Sequence, residues 1–108
     1  MSSTISVKEL SEHLTEDGEL RVIDIREGDA YGAGHIPGAL HIPLQRLQQK
    51  PDLVPGDRPV VIYAGNSEED QQQCTEAANA LERLNVRVRV LEGGLPAWVE
   101  GGFAVEVE

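Results

Sequence analysis

The sequence predicts a single α/β domain, a mostly parallel β-sheet with helices on its faces. Three observations predict it. Val60-Val61-Ile62-Tyr63 is apolar without alternation, the pattern of a strand covered on both sides. Residues 70–84 place Cys74, Ala77, Ala78, Leu81 and Leu84 at helical spacing, one stripe of an amphipathic helix. Strand-like and helix-like segments alternate along the chain, as the crossovers of a parallel sheet require.

The elements follow in order. Ser6-Val7-Lys8-Glu9 has the form of a capping box, in which the serine hydroxyl accepts from an early helical N–H and Glu9 reaches back to the cap. Val7, Leu10 and Leu14 mark one face of a short helix ending near Asp17 and Gly18. Residues 20–25, Leu-Arg-Val-Ile-Asp-Ile, are a β-branched run between turn residues, and residues 39–42 form a shorter strand ended by Pro43. Leu44 and Leu47 suit a brief helical segment, and the turn-rich stretch 51–59 leads into the central strand. Ser67 with Asp70 makes a second capping box, with Glu68 and Glu69 in the first turn, where carboxylates favour the helix dipole. Val86, Val88 and Val90 alternate with Arg87 and Arg89, giving a strand near a sheet edge with one dry and one wet face. Gly93-Gly94 stops it.

With 108 residues the chain can fill one core but not two. Apolar residues are 40% of it and charged residues 26%, so a packed core is expected, built from Val, Ile, Leu and Ala because aromatics are few. A formal net charge of -10 argues against nucleic acid and anionic lipid surfaces as partners. No apolar run approaches the ~20 residues needed to cross a bilayer. The start, Met1-Ser2-Ser3-Thr4, has neither part of a signal peptide, so a cytoplasmic location is expected. Cys74 is the only cysteine, which excludes an intrachain disulfide and a cysteine-rich metal site. No cofactor is expected.

Two segments carry a resemblance. One is Ile23-Asp24-Ile25-Arg26-Glu27, leading to Gly34-His35-Ile36-Pro37-Gly38-Ala39 and His41-Ile42-Pro43; the other is Leu91-Glu92-Gly93-Gly94-Leu95-Pro96-Ala97-Trp98. In this order, flanking the 60–63 strand, they resemble the paired signatures of the rhodanese-like (sulfurtransferase) domain family. The likeness spans the chain from the Ser6 helix to Phe103. It implies a three-layer fold with a mostly parallel five-stranded sheet and helices on both faces. It also implies a cysteine just after the central strand, heading a loop whose inward N–H groups and following helix stabilise thiolate and persulfide. That cysteine takes sulfane sulfur from thiosulfate or a persulfide and hands it on. The matching position here is Ala64.

The departure extends past Ala64. The loop reads Gly65, Asn66, Ser67, Glu68, Glu69, Asp70, Gln71, Gln72, Gln73, with three acids and no base. If Ala77-Ala78 matches the paired alanines of the family's next helix, the segment is about one helical turn longer here. Thiosulfate is a dianion, and each like charge held nearby costs on the order of 1 kcal/mol in water, more in a less polar cleft. The leading expectation is therefore a non-catalytic domain with a binding or regulatory role in sulfur metabolism, its partner another protein or a sulfur carrier.

The alternative is an active sulfurtransferase, working through Cys74 or carrying an alanine installed at 64 in place of a natural cysteine. Cys74 reads instead as a small buried hydrophobe with a raised pKa, being in register with Ala77, Ala78 and Leu81. A dual-specificity phosphatase relative would need the missing cysteine and a loop arginine. Asp24 and Arg26 read as a charge-assisted hydrogen bond anchoring the strand-to-loop junction rather than as a catalytic pair. His35 matches a position that is structural in the family, and neither it nor His41 has a further ligand at metal-binding spacing. Gly93-Gly94 resembles a phosphate-binding turn only weakly, and Trp98 reads as a lid on the core.

Overall fold

The computed structural model describes residues 3–16, 20–54 and 58–107. Five strands, β1 (Ser3–Ile5), β2 (Arg21–Asp24), β3 (Leu40–His41), β4 (Val60–Tyr63) and β5 (Val88–Leu91), form one sheet in the order β1-β5-β4-β2-β3. Every pairing is parallel. The helices are α1 (Val7–Glu16), α2 (Gly28–Ala33), α3 (Leu44–Gln49), α4 (Glu68–Glu82) and α5 (Gly94–Glu100), with a single 3₁₀ turn at Pro51–Leu53.

β4 is central and all four of its residues are buried. Its side chains alternate between two cores. Val60 and Ile62 join Leu47 of α3 and Cys74, Ala77, Ala78 and Leu81 of α4. Val61 and Tyr63 join Ile5, Leu10 of α1 and Trp98 of α5 on the other face. An apolar run without alternation is what such double coverage requires.

Several elements differ from the expectations. β1 has no signal of its own: three residues are too few to show a period, and its pairing with β5, Ile5 beside Leu91, makes the strand. β5 is therefore second from the edge. α2 contains Gly28 and Gly32, poor helix formers, and is held by contacts of Tyr31 described below. The Ser6 hydroxyl accepts from Glu9 N at 3.1 Å, but both Glu9 carboxylate oxygens bond Arg89 of β5 rather than turning back to the cap. The expected end of α1 at Asp17 and Gly18 lies outside the described residues.

α4 begins at Glu68, as the Ser67 cap implies and two residues before the bounds of the apolar stripe, and ends at Glu82 rather than 84. Its end is a Schellman turn: Asn85 is left-handed at φ 64°, Asn85 N donates to Glu82 O, and Val86 N donates to Leu81 O. Leu84 consequently points outward, 47% exposed, and does not belong to the core stripe.

Candidate functional site

In open parallel sheets, ligands bind where strand carboxyl ends meet helix amino ends. Here β4 runs through Ala64 into a loop of only Gly65 and Asn66 before Ser67 caps α4. Glu68 through Gln73 lie on the first turns of α4, as the Ser67 cap implies, and not in the loop that the family resemblance suggests. Ala64 is fully buried, its methyl group packed in the same core as Ile62 and Cys74.

The start of α4 is closed by the chain's own acid. Ser67 Oγ accepts from Asp70 N at 3.0 Å, and Asp70 Oδ2 accepts from Ser67 N at 3.2 Å and Ser67 Oγ at 2.8 Å. Asp70 folds over the loop so closely that a Cβ on Gly65 would run into its carboxylate. Glu68 and Glu69 are exposed on the first turn. The Ala64 carbonyl accepts from Leu95 N at 2.8 Å and the Gly65 carbonyl from Gln71 Nε2 at 3.2 Å. Gly93 and Gly94 are both left-handed, at φ 74° and 60°, and a Cβ on Gly94 would meet the Ala64 and Gly65 carbonyls. The glycine pair therefore seats α5 on the loop.

Beside the loop, Asp24 is fully buried at the end of β2, where the register sets it against Tyr63. It accepts from Arg26 N at 2.9 Å and from the guanidinium at 2.7 Å, while Arg26 Nη2 also donates to Gly34 O at 2.6 Å. The guanidinium lies over the Tyr63 ring, 5.7 Å from its centre. Tyr63 Oη accepts from Ile36 N at 3.1 Å, and burial, then Asp24, pushes its hydroxyl pKa above the ordinary range. Asp24 and Arg26 thus clamp the junction between β2 and the loop that follows it.

His35 and His41 sandwich Tyr31, their ring centres 3.8 Å and 4.5 Å from its own. His35 Nδ1 bonds Tyr31 O and His41 Nε2 bonds Arg26 O, so each histidine braces a backbone carbonyl. Trp98 is 4% exposed in the second core and donates from Nε1 to Ala104 O at 2.8 Å.

Cys74 is 1% exposed, about two turns into α4 from the cap. Burial, with the charges of Asp70 and Asp24 adding to it, pushes its thiol up to about 12.

Two grooves, of about 440 and 480 Å³, share Gly65 and Arg26. Glu100 lines the first; Glu27, Glu69 and Asp70 line the second. Among the described residues lining them, Arg26 is the only base, and Asp24 holds it. Val99 and Glu100 carry no signature in the sequence, and Glu27 stands in it only as the end of the first signature segment. Trp98 offered the signal for the first two, because turning it inward on α5 rotates its successors outward.

This geometry defines a small α/β domain with its candidate binding end over the β4–α4 junction. The chain belongs to the rhodanese-like domain family, whose model matches residues 6–101. It is 30% identical over 105 residues to a sulfurtransferase of Allochromatium vinosum, covering 97% of this chain and 95% of that one. Its fold matches the crystal structure of a rhodanese-related protein from Thermoplasma volcanium with a TM-score of 0.85 at 24% identity, over 98% and 99% of the two chains. It also matches a thiosulfate sulfurtransferase from Pseudomonas aeruginosa, with a TM-score of 0.79 at 27% identity, over 99% of this chain and 20% of that one.

Proposed function

We propose that this rhodanese-like domain binds a protein partner or sulfur carrier without itself transferring sulfur. The observation that carries the reading is Ala64. Where the resemblance to sulfur-carrying members puts a thiol, this chain has a buried methyl group, and carbon without a lone pair forms no persulfide. Two further features support it. The Asp70 carboxylate covers the helix start that would stabilise a thiolate or receive thiosulfate, and the one thiol of the chain, Cys74, is sealed in the core.

The test is cyanide-dependent thiocyanate formation from thiosulfate. Turnover stays at the protein-free rate. A rate that rises in proportion to protein concentration contradicts the proposal.

A further inference from the structure

The grooves on either side of Gly65 have complementary linings. The first is floored by Leu95, Pro96 and Val99 of α5 and ends at Glu100. Val99 is 54% exposed although its neighbour Trp98 is buried, so the outer face of α5 offers apolar surface beside the loop. The second is rimmed by Glu27, Glu69 and Asp70. Between them, the charge of Arg26 is balanced by Asp24 at 2.7 Å. The two grooves meet at Arg26 and Gly65 as one trough, apolar along α5 and bordered by acids at Glu100 and along the second groove.

We infer that this trough docks a protein segment in which an apolar side chain stands next to lysine or arginine. The apolar side chain packs on Leu95, Pro96 and Val99, and the cations face Glu100 at one end and Glu69 and Glu27 at the other. Charge selects this occupant: an acidic segment is repelled by the rim, and a second copy of a chain with formal net charge -10 brings charge of the same sign. Glu69, one of the acids that oppose thiosulfate, thus also faces the partner. The inference rests on the reading of the chain as a binding domain and adds the chemistry of what it binds.

The experiment is a titration of the ¹⁵N-labelled full chain, followed by amide chemical shifts, with three short synthetic peptides. One alternates lysine and leucine, one has glutamate for each lysine, and one has glycine for each leucine. The lysine–leucine peptide shifts Gly65, Leu95, Val99 and Glu100 and binds about tenfold more tightly than either control. Val99→Asp and Glu100→Lys, both exposed positions, each weaken it about fivefold at unchanged melting temperature. Equal binding of the lysine–glycine peptide, shifts confined to another surface, or no binding overturns the inference. Sulfur transfer is measured separately on the same protein. A silent titration removes this partner chemistry and leaves the non-catalytic reading standing, whereas thiocyanate formation removes that reading whatever the peptides do.

Discussion

Asp70 lies over Gly65, its Oδ2 held by the backbone N–H and hydroxyl of Ser67, in the space a side chain at position 65 would need. Gly65→Ala must therefore push the carboxylate off its cap. The expected loss of stability is about 1 kcal/mol, the usual worth of a helix cap. In an Asp70→Ala background the same change meets no carboxylate and has nearly no effect. A urea-unfolding double-mutant cycle measures the coupling, and additive losses would show that Asp70 does not occupy the loop.

Asp24 and Arg26 form a nearly buried pair, with side chains 0% and 15% exposed. Removing one partner strands the other's charge, so Asp24→Ala is expected to cost about 3–5 kcal/mol. Asp24→Asn keeps hydrogen-bonding capacity and costs less. Chemical denaturation reads both; a loss below about 1 kcal/mol for Asp24→Ala would mean water reaches the pair freely.

Cys74 ties stability to alkaline pH. Its thiol is pushed up from 9.0 to about 12 in the folded chain, first by burial, so the unfolded chain gives up the proton at lower pH. The stabilisation is complete below pH 9 and is lost as pH rises toward 12, with a limiting slope of about 1.4 kcal/mol per pH unit. Tyr63, also raised from its ordinary 10.0, adds to the decline above pH 10. Cys74→Ala should flatten the curve between pH 9 and 10. Labelling with a thiol reagent should be far slower in the native than in the denatured protein; equal rates would show that the thiol is open.

Much of the fold was legible because its signals are local. Val60 to Tyr63 reads as a central strand from four consecutive apolar residues, and Cys74, Ala77, Ala78 and Leu81 show the buried stripe of α4. Ser67 marked the start of α4 correctly through its capping pattern. β1 and α2 were not legible, because β1 exists through pairing with a strand more than eighty residues away and α2 through the stacking of Tyr31 between two histidines. Leu84 continued the periodicity but lies past the last helical residue, in the turn that the left-handed Asn85 closes. At the candidate site, residue types were readable but distances were not. The Ser67–Asp70 spacing placed Glu68 and Glu69 in a helical first turn, whereas nothing in the sequence showed that Asp70 would fold onto Gly65.

The mass of the intact protein after incubation with thiosulfate, beside the Ala64→Cys variant and Ala64→Cys with Asp70→Asn, reads directly whether this domain carries sulfur. The unaltered chain gains no sulfur. Ala64→Cys, where Asp70 opposes both thiolate and thiosulfate, gains little, and clearly more once Asp70 is neutralised. A gain of one sulfur atom on the unaltered chain, which could reside only on Cys74, or full loading of Ala64→Cys without the second change, would contradict the proposal.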